Sequence, residues 1–260
     1  MFQEIARETL PTVAAIPRPP RAVTIDCWST LIRDLDSDGA LRERGAALAG
    51  VAGRLGQEVA PEAAMELIDR SWALHLEEWR GGRSFGPQGA ARWCLDELGL
   101  AAMAPDVDEL AEAIATGTLS VGTAVVDGAA EALEVLHRAG IPTALICDTG
   151  FTPSRVVRAA LRMHSLRLDH YFFSDEVGVP KPHAPMFLAA LQATGTEPAE
   201  AVHIGDLRRT DVAGARAAGM AAVRFAGVHD DGWIPEDCRP DVEADAVLYR
   251  WADLPELLGL

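Results

Sequence analysis

The sequence predicts an α/β fold: a mainly parallel sheet with helices on both faces, joined to a small all-helical unit. Three observations predict it. Short apolar runs rich in β-branched residues alternate with helical stretches through most of the chain, the pattern of βα units. Four of those runs end in aspartate. Residues from about 36 to 118 break the alternation and read as helices alone.

Residues 1–20 read as an N-terminal extension, with a short helix over residues 2–10 and a Pro-rich segment over residues 16–21. AVTID (22–26) then reads as a buried strand ending on an acid. The same signature recurs as PTALICD (142–148), DHYFFSD (169–175) and AVHIGD (201–206), and without the acid as AAVRF (221–225). Helices are expected between them, over 128–140, 153–164, 184–195 and 210–219. The core is assigned to 21–35 and 119–260, and the helical unit to 36–118. That unit carries Trp72, Trp79 and Trp93. Ligands of open α/β sheets bind beyond the carboxyl ends of strands, so Asp26, Asp148, Asp175 and Asp206 are expected along one rim.

Composition narrows the function. About half the residues are hydrophobic (49%) and a quarter charged (24%), as in ordinary globular proteins. A net charge of -16 repels phosphodiester backbones, so no nucleic-acid partner is expected. A buried Lys with a metal ion still allows a locally positive pocket for a small phosphorylated substrate. The cysteines Cys27, Cys94, Cys147 and Cys238 show no metal-ligand spacing, which argues for a reduced, cytoplasmic setting. No signal peptide, membrane span or membrane partner is expected. Oligomeric state is not legible.

Four segments carry chemistry, and each also has a plain structural reading. In DCWSTL (26–31), Asp26 is placed to act as a nucleophile, and Ser29 and Thr30 to bind anionic oxygens; a strand, turn and helix cap explain the segment equally well. In ICDTGFTPSR (146–155), Thr149 and Gly150 suit a phosphate near a helix N-terminus, or a simple cap. In SDEVGVPKPHAPMF (174–187), Lys181 sits between two prolines that fix its direction; a lone Lys is more often solvated. In HIGDLRRTDVAGARAAGM (203–220), Asp206 and Asp211 with Asp26 make an oxygen-rich site suited to Mg2+, although Asp211 alone reads as a helix N-terminal acid.

In this order the four segments resemble the four motifs of the haloacid dehalogenase-like hydrolase superfamily, over residues 26–220, and the tail DAVLYRWADLPELL is similar as well. The helical insert resembles the small cap of that family. The resemblance implies a Rossmann-like core and an aspartyl-enzyme mechanism. It implies Asp26 as nucleophile, Thr149 as the phosphoryl-binding hydroxyl and Lys181 as the residue orienting Asp26 and phosphate. It also implies Mg2+ bound by Asp26, the backbone carbonyl of Trp28 and Asp206, with Asp211 supporting or joining the metal shell.

One position departs from the pattern. Phosphatases of the family usually carry a second Asp two residues after the nucleophile, and here Trp28 stands there. The proton shuttle is lost, a loss typically worth ~10²–10⁴-fold. Asp34, Asp148, Asp175, His183 or water are the candidates to compensate. Family dehalogenases also lack that Asp, since halide leaves without a proton, but they do not use magnesium, and GDLRRTD keeps both metal-type acids. Phosphatase of a small phosphate ester is therefore the favoured reading. A dehalogenase acting on 2-haloacids is the alternative, and a binding or regulatory protein with a degenerate site is the third. Trp72, His75, Trp79, Arg80, Arg83 and Trp93, with Phe85 and Gly86 in a Gly-rich loop, are the candidates for specificity; packing and solvation explain them as readily.

Overall fold

The computed structural model describes residues 16–83, 85–229 and 243–260. The helix expected over residues 2–10 and Cys238 lie outside them. In chain order the elements are β1 (Ala22–Ile25), β2 (Ile32–Asp34), α1 (Ser37–Arg54), α2 (Pro61–Arg80), α3 (Pro87–Glu97), α4 (Ala104–Val121) and β3 (Thr123–Val125). Then follow α5 (Ala129–Arg138), β4 (Thr143–Cys147), α6 (Ser154–Met163), β5 (His170–Phe173), α7 (Ser174–Val177), α8 (Ala184–Thr194) and β6 (Ala201–Gly205). A π-helical turn (Arg208–Val212) leads into α9 (Ala213–Ala217), and β7 (Ala221–Phe225), β8 (Ala246–Leu248) and α10 (Leu254–Leu258) complete the chain.

Among the described residues, β5-β4-β1-β6-β7-β8 form one six-stranded sheet, and every pairing in it is parallel. Strand β1 is central because its AVTI run is buried on both faces, as parallel strands covered by helices require. On one face Leu133, Leu136, Val157, Leu161 and Trp251 close over Ile25 and Leu145. On the other, Met186, Phe187, Ala190 and Ala215 cover Ala144 and Ile146. Truncating a fully buried residue such as Leu145 to Ala is expected to cost about 2–5 kcal/mol.

The strand order reverses at β1, with β4 on one side and β6 on the other. That switch point is where a crevice opens beyond the strand ends. Asp26, Asp148 and Asp206 follow the last residues of β1, β4 and β6, as expected. Asp175 does not join them. Its segment turns into the short helix α7, and its carboxylate caps α6 by accepting the Ser154 N–H at 2.9 Å.

Helices α1 to α4 bring their own apolar cluster, built on Leu48, Val51, Ile68, Leu95, Leu110 and Ile114. Asp36 starts α1 by accepting the Gly39 N–H at 2.8 Å. Proline opens α2 and α3, where its missing N–H costs nothing. Helix α4 runs to Val121, beyond residue 118. A short antiparallel ribbon, β2 with β3, flanks the segment where it leaves and rejoins the sheet. This ribbon is not anticipated from the sequence. Its strands are three residues long and partly exposed, too short to show a period.

Candidate active site

Asp26 is placed at the end of β1 by the sheet itself, its N–H bound to the Ile204 carbonyl of β6 at 2.8 Å. The chain then turns sharply. Ser29 adopts φ 57°, a conformation uncommon for a residue with a Cβ. Its N–H closes the turn on the Ile32 carbonyl at 2.7 Å. Thr30 is turned inward, donating from Oγ1 to Asp26 Oδ2 at 3.3 Å. Thr30 therefore holds the carboxylate and is not on the cavity wall, whereas Trp28 and Ser29 line the cavity.

Lys181 lies at the centre of the cluster. Its side chain is 3% exposed, and Nζ donates to Asp26 Oδ1 at 2.5 Å and to Asp211 Oδ1 at 2.7 Å. Burial alone would lower the ammonium, but Asp211, Asp26 and Asp148 outweigh it and hold Lys181 above its ordinary range, so it is charged. Asp211 is saturated with donors. Besides Lys181 it takes His203 Nε2 at 3.0 Å, the Leu207 N–H at 3.0 Å and Thr210 Oγ1 at 3.4 Å. Burial pushes the Asp211 carboxyl up, but Lys181 and His203 outweigh it and hold it below the usual range. Gly205 makes this packing possible, because a Cβ there would lie 2.3 Å from Asp211 Cγ.

His203 is a positioning residue that sequence reading misses. Burial lowers its pKa, so the ring is neutral. Asp211 requires a proton on Nε2, and Nδ1 then accepts from Thr24 Oγ1 at 2.8 Å. Thr24 and His203 are register partners on β1 and β6. The signal was present as a His inside the apolar run AVHIG.

Asp206 is buried and pushed up to about 6 by desolvation, opposed by His229, whose Nε2 lies 3.1 Å from Asp206 Oδ2. Asp26 is likewise raised by burial, against the pull of Lys181. Oxygens of Asp26, Asp206 and Asp211 lie within 4.8 Å of one another. The half-buried Asp148 joins these three buried carboxylates around one ammonium.

Thr149 differs from its expected role. Its N–H donates to Ser174 Oγ at 2.8 Å, and its Oγ1 sits 3.0 Å from the same oxygen while accepting the Asp175 N–H at 3.2 Å. The hydroxyl faces the α7 turn and is not on the cavity wall. Asp148, one residue earlier, occupies the wall beside Lys181. It accepts the Lys181 N–H at 2.8 Å and Trp79 Nε1–H at 2.9 Å, and burial raises its pKa. Gly150 also lines the cavity; a Cβ there would lie 2.9 Å from Trp72 and 3.0 Å from His75.

The cavity measures about 510 Å³ and lies between the sheet rim and α1–α2. Trp72, His75 and Trp79 line it; Arg80, Arg83 and Trp93 do not. Arg83 pairs with Glu78, and Trp93 stacks under Arg70. The Phe85 carbonyl fixes His75 at 2.8 Å, and Gly86 caps α3. Of the acids considered for a proton shuttle, Asp34 and Asp148 reach the cavity, and Asp175 and His183 do not. Phe151, from the loop after β4, plugs into the apolar cluster of the helical segment, and Arg209 lies 3.9 Å above the Trp79 ring. Arg44, Phe151, Thr152 and His229 are among the lining residues that sequence reading leaves out.

The family model of the haloacid dehalogenase-like hydrolases matches residues 20–219. The chain belongs to that family. Its core is the Rossmann-like α/β sheet of that family. A glyceraldehyde 3-phosphate phosphatase of Methanopyrus kandleri is 33% identical over 117 residues, covering 40% of this chain and 50% of that one. The chain thus spans about half the length of the curated relatives it matches. Two solved structures share the fold over 92% of this chain and 98% of theirs, each at 22% identity. One is a phosphatase of this family from Thermococcus onnurineus, at a TM-score of 0.65, and the other a 2-haloacid dehalogenase from Pseudomonas syringae, at 0.63. Among the described residues no helix is long and apolar enough to cross a membrane.

Proposed function

We propose that this hydrolase is a magnesium-dependent phosphatase of small phosphate esters, working through an aspartyl-enzyme intermediate on Asp26. The observation that carries the reading is the Lys181 ammonium bridging Asp26 and Asp211, with Asp206 beside them. Such a cluster pairs a nucleophile with a fixed cation at the point where a phosphoryl group would transfer. The phosphatase name of the Methanopyrus kandleri relative supports it.

The donor set fits Mg2+, which prefers hard oxygens and takes one or two carboxylates. Asp26, Asp206 and Asp211, all buried, against one Lys leave negative charge that a cation relieves. Asp26, Asp206 and the Trp28 carbonyl would hold the ion. Asp211, whose oxygens are engaged by Lys181, His203, Leu207 and Thr210, would support the site through Lys181. When bound, the ion supplies positive charge against a phosphate oxygen and keeps Asp26 ionised.

The protein's own groups do the rest. Lys181, the Ser29 hydroxyl and the Gly150 N–H bind the remaining phosphate oxygens. An Asp26 oxygen attacks phosphorus in line, and the bond from phosphorus to the ester oxygen breaks. Asp148, half-buried on the same wall and raised by desolvation, gives its proton to the departing alkoxide in place of the acid replaced by Trp28. Water then attacks phosphorus and passes a proton back to Asp148, releasing phosphate and restoring both Asp148 and Asp26. Residues 36–118 act as the cap that excludes bulk water over the site, with Trp72, His75 and Trp79 facing the substrate. The setting is cytoplasmic, in keeping with the buried free thiols of Cys27, Cys94 and Cys147.

Trp28 favours a second reading, dehalogenation, because halide needs no proton. The test is phosphate release from a panel of small phosphate esters, with and without magnesium, using Asp26→Asn as the blank. Magnesium-dependent release absent from the blank supports the phosphatase. Halide release from 2-haloacids without phosphate release replaces it with the dehalogenase. Neither product leaves the degenerate binding protein.

A further inference from the structure

Arg44 of α1 stands on the cavity wall opposite the strand ends. Its guanidinium is largely shielded from solvent, and desolvation pulls its pKa down to about 10, with Asp34 the charge that opposes this. Yet Arg44 forms no ion pair among the described residues. Its contacts are neutral: Nε donates to the Ile114 carbonyl at 2.9 Å, Nη2 donates to Thr118 Oγ1 at 2.9 Å, and Phe151 lies 5.6 Å beneath Cζ. Those bonds use one edge of the guanidinium and fix its plane. The other edge, Nη1 with the second Nη2 proton, has no protein partner among the described residues. Charges shielded from water are normally paired, and this half-buried cation, held in place with no direct ion pair and only the charge of Asp34 acting on it, leaves an open edge suited to an anion.

We propose that Arg44 is a specificity residue that takes a carboxylate carried by the substrate at the end away from its phosphate. The substrate class is then small phosphorylated carboxylic acids. This rests on the phosphatase reading for the phosphate end alone. A planar fork of N–H donors matches two carboxylate oxygens. A second phosphate is disfavoured, because Asp34, Asp38 and Asp69 line the same cavity and repel the higher charge. Phe151 and Trp72 supply apolar surface for the carbon chain between the two anionic ends.

The test uses non-hydrolysable probes, so it does not depend on turnover. Phosphonoacetate and phosphonopropionate are titrated by calorimetry in magnesium against ethylphosphonate and propylphosphonate, with aminoethylphosphonate as the cationic comparison. At least one carboxylated probe is expected to bind ~10-fold or more tighter than its uncharged match, as a charge-assisted fork predicts. Arg44→Met should bring that ratio close to one, and Arg44→Lys should restore part of it. Equal binding within both pairs overturns the proposal. So does tightest binding of aminoethylphosphonate, a preference that survives Arg44→Met, or no binding of any probe. The comparison on the native protein decides even if Arg44→Met does not fold. A carboxylate preference combined with no phosphate release from any ester would remove the phosphatase reading and leave the Arg44 assignment standing.

Discussion

Replacing Lys181 with Met tests the electrostatic core of the site. Lys181 is 3% exposed in its side chain and binds Asp26 and Asp211, themselves 9% and 1% exposed. Met keeps the length and removes the charge, leaving two carboxylates buried against each other. Removing one partner of a buried pair costs about 3–5 kcal/mol, because the remaining charge is uncompensated. The loss should appear in urea unfolding as a lower midpoint with an unchanged slope. Adding Asp211→Asn removes one of the two stranded charges. The double variant should therefore be less destabilised than the sum of the singles, with a coupling of about 0.5–3 kcal/mol for groups in contact. A Lys181→Met loss below about 1 kcal/mol, or strict additivity in the double variant, would refute the view that Lys181 neutralises the acid cluster.

Four further outcomes follow from the same geometry. Thr24→Val deletes the hydroxyl that fixes His203; stability should fall by about 1 kcal/mol in urea unfolding, and kcat should fall through the displaced Asp211 while KM holds. Trp79→Phe removes the indole N–H from Asp148 but keeps the ring under Arg209; looser closure of the helical segment should raise KM several-fold and speed proteolysis of α2. Phe151→Ala leaves a hole where the sheet loop enters the helical cluster, costing about 3–5 kcal/mol by thermal or urea unfolding. His75 is held neutral by burial, so the unfolded chain binds a proton more readily than the folded one. The native protein should lose stability as pH falls below about 6.5, the value in the unfolded chain, and His75→Gln should flatten that slope.

The sheet and its acid-tipped rim were legible because buried parallel strands need unbroken apolar runs, and AVTI, TALIC and AVHIG are such runs. The helical segment was legible because four long stretches lack any strand signal. What escaped depended on turns and on packing between segments. Asp175 left the rim because the chain after Phe173 coils at once into α7. The Thr149 hydroxyl was captured by Ser174, twenty-five residues away in sequence, a partner no local pattern reveals. Asp148, which the sequence offers only as one of several substitute acids, occupies the wall beside Lys181. Trp72, His75 and Trp79 reach the cavity while Arg80 and Trp93 do not, a division set by which side of α2 and α3 meets the sheet, and Arg83, in the loop between those helices, pairs with Glu78 instead. Arg44 gave no signal, since its neighbours Ile114, Thr118 and Phe151 come from elements far along the chain.

The most direct test of the central claim is a rapid acid quench of the native protein turning over a phosphate ester it hydrolyses, followed by mass analysis of the peptide containing Asp26. One phosphoryl group is expected on Asp26 in the quenched native protein, and neither that adduct nor turnover in Asp26→Asn. Turnover with no phosphoryl group on Asp26, or undiminished turnover in Asp26→Asn with reversion to Asp excluded, would contradict it.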